Sequence, residues 1–195
     1  DVMLSCAQDY RPGYGGDQQS IWQATLGPDA VCFTTHPARL IGPSPNYWTG
    51  SGVLLRAAQC GRVVIAIYRS HRKPALYVRG RLAFTHAWLP RDRFDTVVER
   101  GGWVFAVKGD GYLALYSQRP CRWQDEPGED QGRELIAEGA SNIWICEVGR
   151  RADDGGADDG EFEGFVDRIC QATVQTSGLN LTYDSPSEGR LEFGW

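Results

Sequence analysis

The stretch Gly101–Ser117, GGWVFAVKGDGYLALYS, constrains this chain more than any other. Two apolar runs, Trp103–Val107 and Tyr112–Tyr116, flank the polar turn Lys108-Gly109-Asp110-Gly111. Aromatic and β-branched side chains suit a pleated, half-buried surface, and glycine supplies the positive φ that a tight hairpin turn demands. The pattern predicts a hairpin near the middle of an all-β domain, with further strands laid on either side of it.

Those further strands are legible as short apolar runs separated by Gly and Pro. Upstream they fall at Val2–Cys6, Ser20–Leu26, Ala30–Thr34, Gly52–Ala57, Arg62–Tyr68, Ala75–Val78, Phe84–Trp88 and Phe94–Glu99. Downstream, Pro120–Gly132 reads as a polar loop, and Arg133–Glu138 and Asn142–Val148 as strands. One helix is expected over Glu161–Ala172, where Phe162, Phe165, Val166, Ile169 and Cys170 form a single apolar stripe. Asp158, with Glu161 three residues on, resembles a capping box, and acids at that end suit the helix dipole. Leu179, Leu181 and Tyr183, then Leu191, Phe193 and Trp195, alternate as a closing hairpin. Strand spacings near ten residues predict an antiparallel β-sandwich or supersandwich, residues 1–195 forming one domain. Because the chain stops within an apolar strand pattern, it reads as a fragment of a longer multi-domain chain.

Composition narrows the function. A net charge of −5 argues against a general nucleic-acid binder. No apolar run approaches transmembrane length and no signal peptide is visible, which leaves localisation open, with the extracellular space or periplasm preferred. The six cysteines contain no C-x2-C pair, so a zinc ribbon is excluded; three disulfides are arithmetically possible. Cys32, Cys146 and Cys170 sit in apolar runs, which favours mostly buried thiols. Seven Trp against a single Met suit a protein that faces carbohydrate, since an indole offers a flat apolar face to a sugar ring, though Trp also fills sandwich cores.

Charge is unevenly spread. Seven bases, Arg79 and Arg81 among them, lie between Arg69 and Arg93 against one acid, Asp92. Such a stretch can present guanidinium forks to the carboxylates or sulfates of an acidic polysaccharide, or simply be a solvated face. Asp153, Asp154, Asp158 and Asp159 raise calcium, but their spacing does not match D-x-[DN]-x-[DN]-G, so no cofactor is expected.

His36 at a strand end and His86 within a strand are the candidates for acid–base work, or else hold loops in place; His71 reads as exposed. Tyr47 and Trp48, in a Pro-rich loop, and Tyr112, beside the central turn, are candidates for stacking on a sugar or for a phenolic proton donor. No P-loop, G-x-S-x-G elbow, H-E-x-x-H or dinucleotide fingerprint is present. Asn180-Leu181-Thr182 is a glycosylation acceptor in a secreted chain.

Several of these segments together resemble a known group. They are Gln23-Ala24-Thr25-Leu26-Gly27, Thr35-His36-Pro37, Pro45-Asn46-Tyr47-Trp48, Val63–Tyr68, Thr85-His86-Ala87, Gly109-Asp110-Gly111-Tyr112, Asn142-Ile143-Trp144, Phe162–Phe165 and the closing Tyr183–Trp195. Their succession resembles the β-rich C-terminal part of heparinase II/III-like polysaccharide lyases and of the related glycoside hydrolases built on an (α/α) toroid. The resemblance implies a uronic-acid-containing poly- or oligosaccharide, cleaved by β-elimination or hydrolysis. It also implies a cleft whose other wall comes from a helical toroid of the same parent chain. No toroid precedes these strands, and Gln19-Ser20 stands where a histidine is expected before Ile21-Trp22-Gln23, so the chain alone is not expected to be active. The alternatives are a non-catalytic carbohydrate-binding β-domain and a protein–protein module with an exposed strand edge near Trp195.

Overall fold

The computed structural model describes residues 1–17, 19–40, 47–50, 52–69, 78–81, 83–151 and 161–195, with the backbone alone for 38–40 and 78–81. His71, Asn46, most of the strand expected over Ala75–Val78, and Asp153, Asp154, Asp158 and Asp159, with the capping box expected at Asp158, lie outside the described residues, as do the side chains of Arg79 and Arg81.

The described residues form antiparallel sheets with one α-helix among them, as the sequence predicts. One six-stranded sheet runs β1 (Met3–Cys6), β2 (Trp22–Thr25), β3 (Val31–Thr35), β8 (Phe84–Trp88), β13 (Glu134–Glu138) and β12 (Cys121–Trp123). The second runs β5 (Arg56–Cys60), β6 (Val63–Arg69), β14 (Ser141–Arg150), β11 (Gly111–Ser117), β10 (Trp103–Lys108) and β9 (Thr96–Arg100). A three-stranded sheet of β15 (Val174–Ser177), β16 (Asn180–Ser185) and β17 (Gly189–Gly194) follows helix α1 (Glu161–Gln171), and β4 (Ala38–Leu40) pairs with β7 (Val78–Arg81).

The long apolar runs within β6, β10, β11 and β14 have a structural cause. Strand side chains alternate between faces, so a run with no polar positions must be covered on both. One face of the second sheet, with Val64, Ala66, Tyr68, Leu113, Leu115, Trp144 and Cys146, packs against Trp22, Ala24, Cys32, Ala87, Leu135 and Ala137 of the first sheet. The other face, with Val63, Ile65, Ile67, Trp103, Phe105, Tyr112, Ile143 and Ile145, packs against Phe165, Val166 and Ile169 of α1 and against Leu181 and Tyr183 of β16. The result is a sandwich with a third layer. Polar groups inside the sandwich are matched to one another: Thr34 Oγ1 accepts from Trp22 Nε1 at 2.8 Å and bonds Tyr68 OH at 2.9 Å, and Thr85 Oγ1 accepts from Trp144 Nε1 at 2.9 Å.

The central hairpin pairs Lys108 with Gly111 around Gly109 and Asp110. Gly109 has φ +56°, and its N–H and the Lys108 ammonium both donate to Asp95, each at 2.8 Å.

Several elements differ from the sequence reading, among them β4, which pairs with β7 where the sequence predicts no strand. Val53–Leu55, within the strand expected over Gly52–Ala57, are buried but are not a strand. Leu54 exchanges its backbone bonds with the N-terminal loop instead, donating to Tyr14 O (2.7 Å) and accepting from Gly13 N (2.8 Å), and β5 starts only at Arg56. The loop Pro120–Gly132 contains the short β12, which pairs with β13. The closing hairpin gains β15, a polar strand that pairs with β16. A 3-10 turn, Arg91–Arg93, precedes β9. Among the described residues, no helix is long and apolar enough to cross a membrane. All six thiols are free; Cys32 and Cys146 are fully buried between the sheets, whereas Cys60 is exposed and the other three are half-buried.

Candidate functional site

Strand β8 positions the site. Thr85 and Ala87 point into the sandwich, so alternation sends Phe84, His86 and Trp88 to the opposite face of the first sheet. The neighbouring strands bring Thr35 and Phe33 beside His86 and Trp88, and Ile136 and Glu134 beside the same two residues on the other side. The turn Tyr47–Gly50 lies over this face and lays two aromatic rings on it.

The Trp48 indole stacks on the His86 imidazole, with centroids 4.0 Å apart and planes 6° from parallel. Tyr47 meets the edge of His86 at 4.8 Å, and Phe33 and Trp88 meet Trp48 edge-on at 5.9 and 5.0 Å. Beneath the rings lies a buried polar pair. His86 Nδ1 is 2.7 Å from Glu134 Oε1, and His86 Nε2 bonds Thr35 Oγ1. His86 is fully buried and Glu134 is 1% exposed. Tyr47 OH donates to the same Glu134 oxygen at 2.6 Å. Asp130, four residues upstream, accepts from Trp48 Nε1 at 3.2 Å.

Burial lowers the pKa of His86 below its ordinary value, outweighing the opposing pull of Glu134. A neutral imidazole has one donor and one acceptor nitrogen. Here Nδ1–H donates to Glu134 and Nε2 accepts from the Thr35 hydroxyl, so both nitrogens are engaged within the chain. Burial, then the hydrogen bond and charge of Glu134, push the Tyr47 phenol well above its usual range, so Tyr47 is a neutral phenol at any physiological pH.

Asp130 and Glu134 are held in place by the loop between β12 and β13. Gly132 N donates to Gln124 O at 2.7 Å, Gln124 N donates to Glu134 O at 2.8 Å, and Arg133 makes a two-pronged bond to Asp92 at 2.6 and 3.1 Å. Arg91 stacks on Trp123 at 4.5 Å and donates to Asp125 at 3.0 Å, anchoring the other side of the loop.

The structure thus brings together three of the residues singled out from sequence: Tyr47, Trp48 and His86. His36 is elsewhere in the packing. It is fully buried against Gly52, where an added Cβ would lie 2.0 Å from Nδ1. Tyr112 lies on the far face of the second sheet, 1% exposed, with its ring 5.6 Å from both Phe162 and Phe165 and its hydroxyl donating to Glu161 at 3.3 Å. Arg79 and Arg81 fall on β7, with their side chains outside the described residues. Sequence reasoning missed Thr35, Asp130 and Glu134. One signal was available for Glu134: it is the acid that opens an otherwise apolar strand, Glu134-Leu135-Ile136-Ala137.

Among the described residues, no group of three or more His, Cys, Asp or Glu side chains is placed to hold a metal ion. Comparison of the chain with protein families, with curated proteins and with solved structures gave no match.

Proposed function

We propose that this chain is the β-sandwich portion of a carbohydrate-active enzyme, and that the Tyr47–Trp48 face is the wall it contributes to a substrate cleft. The substrate class is a uronic-acid-containing poly- or oligosaccharide, cleaved by β-elimination or by hydrolysis together with a toroid domain of the heparinase II/III-like kind. One observation carries the reading: a half-exposed indole is held flat by a buried imidazole, beside a phenol and a carboxylate that can bond sugar hydroxyls. An indole face set among fixed polar groups matches the apolar face and hydroxyl rim of a pyranose ring. Arg79 and Arg81 are the residues we assign to the substrate carboxylates.

On this reading His86 and Glu134 are positioning residues. They fix Tyr47 and Trp48, and neither His86 nitrogen is left over for a substrate proton. The same closed network favours a second reading, a wholly non-catalytic carbohydrate-binding domain, because both His86 nitrogens are bonded within the chain.

The test is titration of the chain with uronate oligosaccharides, followed by tryptophan fluorescence, with ultraviolet absorbance monitored for unsaturated ends. The expected result is saturable binding, abolished in Trp48→Ala, with no product released by the chain alone. If the folded wild-type chain binds neither uronate-bearing nor neutral glycans, both readings fail.

A further inference from the structure

Cys32 and Cys146 are the two thiols that the sandwich shuts in completely: each is 0% exposed, and both belong to the core between the two large sheets. They come from opposite layers. Cys32 lies on β3 of the first sheet and points inward with Thr34; Cys146 lies on β14 of the second and points inward with Trp144 and Val148.

Bonds between the layers fix how these strands lie over one another. Thr34 Oγ1 on β3 bonds Tyr68 OH on β6 at 2.9 Å. Thr85 Oγ1 on β8 accepts from Trp144 Nε1 at 2.9 Å and from Asn142 Nδ2 at 3.1 Å, both on β14. In the first sheet β3 lies beside β8, with Thr34 opposite Ala87. In the second, β14 lies beside β6, with Asn142 opposite Tyr68 and Cys146 opposite Val64. The steps from Thr34 to Cys32 and from Trp144 to Cys146 therefore both run away from Thr85, and bring the two thiols to one level of the core. Burial pushes the Cys146 thiol well above its usual range, and the facing Cys32 adds to that push.

The spacing of two packed sheets accepts a disulfide: immunoglobulin-type sandwiches carry one between their layers, packed against a buried Trp. Here Trp22 and Trp144 are buried in the same cluster as the two thiols. We propose that Cys32 and Cys146 form a latent inter-sheet disulfide pair, which closes when the chain folds in the presence of a small-molecule disulfide. One cysteine thiolate attacks the oxidant, giving a mixed disulfide and releasing one thiol. The other cysteine thiolate then attacks the protein-bound sulfur, forming the Cys32–Cys146 bond and releasing the second thiol. Two protein thiols are oxidised and one external disulfide is reduced. The finished sandwich keeps both thiols protonated and out of the oxidant's reach, so the bridge closes while the sheets come together. None of this depends on the function proposed for the Tyr47–Trp48 face.

The experiment refolds the urea-unfolded chain in two arms, one with oxidised and reduced glutathione and one with dithiothreitol. Free thiols are then alkylated, and peptides are mapped by mass spectrometry without reduction. The expected result in the glutathione arm is a linked pair of peptides carrying Cys32 and Cys146, lighter by two hydrogens than the free pair. The bridge closes a loop of roughly a hundred residues, so it should raise the melting temperature by about 5–15 °C over the dithiothreitol arm. Cys146→Ala should melt alike in both arms. A chain with Cys6, Cys60, Cys121 and Cys170 all changed to Ala should keep the shift; if it does not fold, the wild-type peptide map decides. Oxidised glutathione added to the already folded chain should modify exposed Cys60 and leave Cys32 and Cys146 free. The proposal is overturned if Cys32 and Cys146 stay free after oxidative refolding, if either pairs with another cysteine, or if the bridged chain melts no higher than the reduced one.

Discussion

Replacing Glu134 by alanine removes the one acceptor that Tyr47 and His86 share. The two donors then face different fates. His86 is fully buried, so its Nδ1–H is left without a partner, which costs about 1–3 kcal/mol. Tyr47 is half-buried, and its hydroxyl can turn to water, so its lost bond costs only about 0.5–1.5 kcal/mol. Together Glu134→Ala should destabilise the fold by roughly 2–4 kcal/mol. Glu134→Gln retains a carbonyl acceptor and should cost about 1 kcal/mol. Urea unfolding followed by far-ultraviolet circular dichroism measures both. The double variant Tyr47→Phe, Glu134→Ala adds a check: the two sites should couple by about 0.5–3 kcal/mol, because one bond links them. Near-wild-type stability for Glu134→Ala, or no coupling with Tyr47→Phe, would refute the claim that this carboxyl organises the face.

Three further outcomes follow from the same structure. His86 has a folded pKa below its ordinary 6.5, so the unfolded chain binds its proton first; the stability owed to the neutral ring is lost as pH falls below about 6.5. Unfolding free energies at several pH values should therefore drop more steeply for the wild type than for His86→Asn, and parallel curves would count against the buried neutral imidazole. Glu147 has the opposite sign: its folded pKa is raised, so its contribution is full at acid pH and is lost as pH rises above about 4.5. Melting curves of Glu147→Gln should overtake the wild type toward neutrality, and a constant offset would contradict this. Gly52→Ala would place a Cβ 2.0 Å from His36 Nδ1 and 2.7 Å from two backbone oxygens, a cost near or above the top of the usual range of about 1–3 kcal/mol for overpacking. Soluble yield and melting temperature report it, and a wild-type melting temperature would contradict the tight packing at Gly52.

How much of this could be read from the sequence depended on the range of the interactions. The hairpin at Gly109 and the stripe of α1 are local patterns, and β8 begins and ends where its apolar run does. Strands β4, β12 and β15 are not legible in the sequence because they are only three or four residues long; pairing with β7, β13 and β16 makes them strands, and that partner is invisible locally. Trp48 and His86 were both singled out, but the contact between them follows from the register of three strands and the path of one loop. Glu134 becomes meaningful only once β13 is set beside β8, with Glu134 opposite Trp88 and Ile136 opposite His86. Tyr112 shows the converse. Its place next to a glycine turn suggested a surface ring, whereas its alternation with Leu113 puts it under α1.

The middle layer has no side that water can reach along most of β6, β11 and β14. Helix α1 and the last three strands are therefore a roof, and removing them would bare a greasy wall of valine, isoleucine and aromatic rings. A polypeptide cut after Arg150 would have every bond of both large sheets and still be expected to clump. In this architecture the final thirty-odd residues settle whether everything before them stays dissolved.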